Sequence, residues 1–271
     1  MNLSDINKTT GHNPTKTFPV LFIGHGNPMN AIQDNDFTHM LTMWGKQFQE
    51  RPKAILVYSA HWLTRGIHVT VTEKPETIHD FGGFPPELYK IQYPAPGASH
   101  EAREVKAMAS SVEIKEDPLR GLDHGAWTIL RHLYAEADIP VFQLSIDYYK
   151  PLSYHFELAR ELYTLRNKGV LVIGSGNIVH NLHQADFNNK APYDWAIEFN
   201  DMVKSQILKG DFRSLIDLEN LSSSSQLAVP TPDHYIPMLF SLGLSDKGEK
   251  TEIIFDEIQH ASVGMLSFQI G

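Results

Sequence analysis

Short, unbroken apolar runs that stop at turns bearing glycine or histidine constrain this chain more than any other feature. Residues 18–23 (FPVLFI) run into Gly24-His25-Gly26-Asn27-Pro28, and residues 54–58 (AILVY) into Ser59-Ala60-His61-Trp62. Residues 170–173 (VLVI) run into Gly174-Ser175-Gly176-Asn177. Four to eight apolar residues between turn formers fit a strand buried on both faces, and such a strand needs helices above and below it. The intervening segments supply them. Residues 34–49 carry Phe37, Leu41, Trp44 and Phe48 at helical spacing behind Asp34 or Asp36 as cap, and 99–110, 126–137, 151–167 and 192–208 read as further helices. Residues 67–71 and 140–146 read as strands, 222–225 as a flexible serine loop, and 251–255 with 262–270 as an antiparallel edge pair. No repeat or composition break divides the chain. The expected fold class is α/β: a single domain, residues 18–271, with a mostly parallel central sheet flanked by helices and the active site at the strand carboxyl ends. A polar N-terminal extension, 1–17, precedes it.

Composition narrows the chemistry. With 23 basic against 32 acidic side chains the net charge is −9, which argues against a nucleic-acid or anionic-membrane partner. The absence of cysteine excludes disulfides, thiolate metal sites and cysteine nucleophiles, so a transition metal would have to be held by carboxylates or by some of the 14 histidines. The first 17 residues lack the apolar core of a secretory signal, and no apolar run approaches the length of roughly 18 residues that spans a bilayer; the expectation is a soluble cytoplasmic protein.

Ligands of parallel α/β sheets collect beyond the carboxyl ends of the strands, so the loops carrying His25, His61 and His180 should converge on one rim. Each histidine also has a plainer reading. His25 sits between two glycines, either as an incidental turn residue or because small neighbours let a ligand approach its ring. A lone His61 at the end of an apolar strand is more often a hydrogen-bonded core residue. His234 follows the proline-stiffened Thr231-Pro232-Asp233 loop and starts a short apolar helix, where facing solvent is an equal alternative. His124, in a glycine-containing loop before a helix, is either a capping or surface residue or a donor to a substrate oxygen. Gly174-Ser175-Gly176 invites a dinucleotide reading that fails, because Val179 occupies the third glycine position and Asp194 lies in a helical stretch. The histidines at 12, 39, 68, 79, 100, 132, 155, 183 and 260 read as surface or structural. Neither a Gly-x-Ser-x-Gly elbow nor a His-Glu-x-x-His metal motif is present.

Six ordered motifs extend this reading: GHGNPM at 24–29, YSAHW at 58–62, DFGGFP at 80–85 continuing to YPAPG at 93–97, LDHGAW at 122–127, GSGNIVHNL at 174–182 and PTPDH at 230–234. From about residue 18 to the C-terminus they resemble the DOPA 4,5-dioxygenase type of class III extradiol ring-cleaving dioxygenase. The resemblance implies His25, His61 and His234 as metal ligands, His180 as acid/base residue and His124 as a substrate-contacting residue. It also implies a small catechol such as DOPA as substrate, cleaved with O₂ to a muconic semialdehyde. Fe(II) is then expected for activity, while an all-imidazole set also suits Zn(II) as the ion found bound, with His180 as a fourth ligand when substrate is absent. A zinc-dependent hydrolase using the same histidines, and a non-enzymatic metal- or partner-binding module, stay open at this point. Phe84 and Tyr93, in proline-rich stretches, either form an aromatic wall for the substrate ring or belong to a stiffened surface loop.

Overall fold

Val20, Leu21, Phe22 and Ile23 have no accessible surface in the computed structural model of the chain, which describes residues 17–48, 50–188 and 191–271. The first apolar run is therefore buried on both faces, as its composition requires. In chain order the strands are β1 (Val20–Gly24), β2 (Ala54–Thr64), β3 (Ile67–Thr70), β4 (Ile114–Asp117), β5 (Val141–Asp147), β6 (Val170–Gly176), β7 (Thr251–Phe255), β8 (Ile258–Gln259), β9 (Val263–Gly264) and β10 (Ser267–Ile270). The helices are α1 (Asp36–Gln47), α2 (Ser99–Met108), α3 (His124–Leu133), α4 (Leu152–Glu161), α5 (Asp194–Lys209), the short α6 (Phe212–Ile216), α7 (Leu218–Leu221) and α8 (Ser225–Ala228), and α9 (Ile236–Gly243). The main sheet runs β4-β3-β5-β2-β6-β1-β10-β7, with β8 and β9 forming a separate hairpin.

Strands β5, β2, β6 and β1 are mutually parallel and form the centre of the sheet. Alternation of side chains across each strand builds two cores. Phe22, Leu56 and Val172 join one apolar cluster with residues of α2, α4, α5 and α9, whereas Leu21, Val57 and Ile173 join another with α1 and α3. The expected single α/β domain with a mostly parallel sheet is what the chain forms.

Several boundaries differ from expectation for local reasons. Helix α1 is capped by Asn35, not by Asp34 or Asp36, because Asn35 and Thr38 exchange side-chain and backbone hydrogen bonds in a capping box. Helix α3 begins earlier than expected because the Asp123 carboxylate caps it from outside. The stretch 151–167 breaks into α4 and a 3₁₀ segment, Tyr163–Lys168, and 262–270 divides into β9 and β10. β7 and β10 do pair antiparallel, yet β10 also pairs with β1, so β7 alone is the edge. Strand β4 has no counterpart among the expected strands, because its Lys115 and Glu116 are exposed and an apolar run is absent. The polar extension lies outside the described residues apart from Thr17. Among the described residues no helix is long and apolar enough to cross a membrane.

Candidate metal centre

β1, β6 and β2 are neighbours pointing the same way, so the residues that follow their carboxyl ends are brought to one rim. His25 leaves β1 directly and its backbone N–H donates to the Gly176 carbonyl at 3.1 Å. The flanking glycines serve the turn and not ligand access: a Cβ on Gly24 would lie 2.7 Å from the Met265 carbonyl carbon, and Gly26 has φ +62° with Met265 Sδ at 2.5 Å from the Cβ position. His61 is inside β2, not after it. Tyr58 pairs with Leu144 and Leu63 with Ile146, so β2 bulges across His61 and re-aims that side chain. His234 precedes α9, and its carbonyl accepts from Asn177 N at 2.9 Å, which ties it to the end of β6.

The three imidazoles converge. Each offers a ligand nitrogen within 4.8 Å of the other two, and His25 Nε2 lies 3.0 Å from His61 Nε2. Outer partners set the tautomers of His25 and His234. Ser175 Oγ donates to the Gly125 carbonyl at 2.5 Å and therefore accepts from His25 Nδ1 at 3.0 Å, leaving a lone pair on His25 Nε2. His234 Nδ1 is hydrogen-bonded to the Asp233 carboxylate, and its Nε2 is buried with no hydrogen-bond partner. Asp80 Oδ2 stands 3.8 Å from His61 Nδ1. An orphaned buried nitrogen on His234, beside the Nε2 atoms of His25 and His61, fits a metal ion, which accepts lone pairs where a proton could satisfy only one pair.

A family model for the catalytic LigB subunit of aromatic ring-opening dioxygenase matches residues 17–270. The chain is 43% identical over 257 residues to the 4,5-DOPA dioxygenase extradiol of Escherichia coli (strain K12), covering 93% of this chain and 94% of that protein. The corresponding protein of Beta vulgaris is 37% identical over 238 residues, covering 86% and 89%. The crystal structure of an uncharacterized protein from Escherichia coli K12 superposes with a TM-score of 0.82 at 38% identity, covering 94% of this chain and 100% of that one. The chain belongs to the LigB family. It is a ring-cleaving dioxygenase of the extradiol class, and the family implies a small aromatic substrate and O₂.

The LigB-type site opens into a cavity of about 290 Å³ whose walls include Asp80, Phe81, Phe84, His124, His180 and His260. His124 is the first residue of α3. Its backbone N–H and Nδ1 both approach Asp80 Oδ1, at 2.9 and 3.0 Å, and the edge of Phe81 meets its ring. Burial alone would raise the Asp80 carboxyl, but the bonds from His124 outweigh it and hold it below its ordinary value. His180 is stacked on His234 at 3.5 Å and 10° and groups with Asp233 and His234, not with the three-histidine set. Its pKa falls to about 3, mainly through burial and then through His234. Burial first, and the neighbouring imidazoles second, also push His25 and His61 well below their ordinary value, so both rings are neutral near pH 7 with lone pairs to offer.

The fold thus gathers His25, His61, His124, His180 and His234, and it places Phe84 in the cavity wall. Tyr93 is elsewhere: it is buried in the α1–α3 core with its hydroxyl donating to the Tyr134 carbonyl at 3.0 Å, and it does not line the cavity. His260, read from sequence as surface or structural, lines the cavity instead. Sequence reasoning also passed over the outer partners Asp80, Asp123, Ser175 and Asp233. Asp123 is fully buried, accepting from Ser59 Oγ at 2.6 Å and Gln143 Nε2 at 2.8 Å. All four lie inside the quoted motifs, within two residues of a motif histidine or glycine, the one signal that could have drawn attention to them.

Proposed function

We propose that this protein holds one Fe(II) on His25, His61 and His234 and cleaves the ring of a small catechol such as DOPA beside its two hydroxyls. Both atoms of one O₂ enter the product, a muconic semialdehyde of the seco-DOPA type. The observation that carries this reading is the convergence of three imidazoles, two of which, His61 and His234, line a cavity whose wall also carries His124, His180 and His260. Ferrous iron, when bound, exchanges electrons with both the catecholate and O₂, which Zn(II) cannot do; the all-imidazole donors also suit zinc as the ion found in purified protein.

The chain's own residues supply the rest. His180 is neutral at pH 7, the form required to take a proton from a catechol hydroxyl and return one as the ring opens. With its Nδ1–H committed to the Asp80 carboxylate, a neutral His124 turns the Nε2 lone pair to the cavity, where it accepts from a substrate hydroxyl and becomes a donor to a substrate oxygen only while it holds that proton. Phe81 and Phe84, whose rings meet at 5.3 Å edge to face, form an apolar wall that suits a planar ring and excludes water.

Anaerobic reconstitution with Fe(II), followed by DOPA and O₂, should give a yellow ring-opened product and consume one O₂ per catechol. Failure with DOPA and with every simple catechol overturns the reading. His25→Ala and His234→Ala should lose the metal, whereas His180→Ala should keep most of it and lose turnover. Equal metal loss in all three variants would make His180 an ordinary ligand.

A further inference from the structure

His260 occupies a conformation that its residue type disfavours. It joins β8 to β9 in a turn closed by Ser262 N donating to the Gln259 carbonyl at 3.3 Å, and both central residues are left-handed, His260 at φ 51° and Ala261 at φ 63°. Consecutive positive φ values are ordinarily met by Asn and Gly, because a Cβ crowds the following carbonyl. Here the surroundings impose them. Asp186 N donates to the His260 carbonyl and Tyr193 N to the Ala261 carbonyl, both at 3.0 Å, while Asn181 N reaches the Ser262 carbonyl at 3.2 Å. The result is that the His260 ring stands at the mouth of the catalytic cavity, 4.6 Å from the ring of Phe187.

These two rings line a second cavity as well. It measures about 490 Å³ and includes Gln33, Asp34, Asn35 and Glu257 in its wall. His260 and Phe187 are thus the two residues that the catalytic cavity and a polar outer cavity share in their walls. Leaving the histidines aside, the charged side chains among the described residues lining the two cavities are Asp80, Asp34 and Glu257, all acidic. Asp80 is engaged by His124, and Asp34 is also contacted by His39, so the outer cavity presents negative potential to whatever enters it.

We propose that His260 and Phe187 form the specificity gate through which the ring substituent leaves the catalytic cavity, and that the outer cavity favours substituents bearing an ammonium group over those bearing only a carboxylate. This inference rests on the catechol reading of the same site and names the substrate class within it. A strained histidine at a gate of this kind acts on substituted rings, where it contacts the substituent, more than on the bare ring. The ammonium preference is electrostatic and partly exposed to solvent, so it weakens as salt rises.

Three ligands test it: catechol, 4-(2-aminoethyl)catechol and 3,4-dihydroxyphenylacetate. Their kcat/KM values would be measured at equal iron content in wild type, His260→Gly and Glu257→Gln, with anaerobic calorimetry giving the binding constants for the same set. Wild type should favour the aminoethyl over the carboxymethyl compound by about tenfold, and His260→Gly should cut kcat/KM for the substituted rings about tenfold more than for catechol, through KM. Glu257→Gln should lower the aminoethyl preference about threefold, the size expected of one partly exposed charge. Because glycine relieves the backbone, Tm of metal-free His260→Gly should equal or exceed that of wild type. Losses of equal size for all three ligands, a preference for the carboxylate, or a lowered Tm with uniform losses would overturn the gate. Selective binding without turnover would instead overturn the ring-cleavage reading and leave the gate standing.

Discussion

Ser175 determines what His25 can do. Its hydroxyl has one proton, and the Gly125 carbonyl takes it at 2.5 Å, so toward His25 Nδ1 it can only accept. That fixes the imidazole proton on Nδ1 and leaves a lone pair on Nε2. Removing the hydroxyl strands a buried N–H and frees the tautomer. Ser175→Ala should therefore weaken metal binding by roughly tenfold to a hundredfold, read by competition with a chelating dye, while the far-UV spectrum stays unchanged. Asp233 plays the same part for His234: burial would raise its carboxyl, and the bond from His234 Nδ1 holds it at about 2. The carboxylate therefore stays ionised throughout the pH range in which an imidazole can bind metal.

At the scale of elements, a buried hydrogen bond between α4 and β2 involves a histidine with no part in the site. His155 Nδ1 meets the Tyr58 hydroxyl at 2.8 Å, and its Nε2 is buried without a partner. Burial lowers its pKa from 6.5 to about 4, so between those values the unfolded chain takes up a proton that the folded chain refuses. Stability should fall as pH drops through this window, by about 2 kcal/mol at pH 5 from this residue. Urea unfolding at pH 7.5 and pH 5 should show a smaller acid loss in His155→Gln than in wild type; equal losses would disprove the assignment. Helix α1 depends on its start. Asn35 Oδ1 accepts from Thr38 N at 2.9 Å, Thr38 Oγ1 accepts from Asn35 N at 3.1 Å, and Asn35 Nδ2 reaches Asn30 at 3.1 Å. Asn35→Ala should cost about 1 kcal/mol and lower Tm by about 2 °C, with metal content unchanged.

Across the whole molecule, Arg166 joins the two ends of the domain. It is fully buried and donates to the carbonyls of Phe18 at 2.7 Å and Leu244 at 2.9 Å, and it forms a two-point ion pair with Glu249 at 2.8 and 2.7 Å. One guanidinium thus ties the entry to β1, the end of α9 and the approach to β7. Arg166→Met should cost roughly 3–5 kcal/mol, because it strands a carboxylate and several carbonyls, measurable as a lower urea midpoint. Arg166→Lys should recover only part of this, since an ammonium cannot reproduce the planar fork.

The parallel sheet was legible in the chain because burial on both faces leaves a purely apolar run, as in residues 170–173, and because a strand end is punctuated by glycine. His25, His61 and His180 were legible for a related reason, since each lies within a few residues of such an end, whereas His124 and His234 stand before helices and were legible only through the family motifs. Other features carry no local signature. Tyr93 and Phe84 sit in similar proline-rich stretches, yet one hydroxyl finds the Tyr134 carbonyl in the core while the other ring faces the cavity. His260 reads as an ordinary loop residue, and its role depends on bonds from Asp186 and Tyr193 that force its backbone left-handed. Sequence alone determined the central parallel strands and that the loops carrying His25, His61 and His180 meet on one rim, since both follow from solvent exclusion along the chain. The partners that orient those histidines, and the walls that shape the cavity, were decided by tertiary structure, because a hydrogen bond between residues 25 and 175 depends on where the folded sheet brings them.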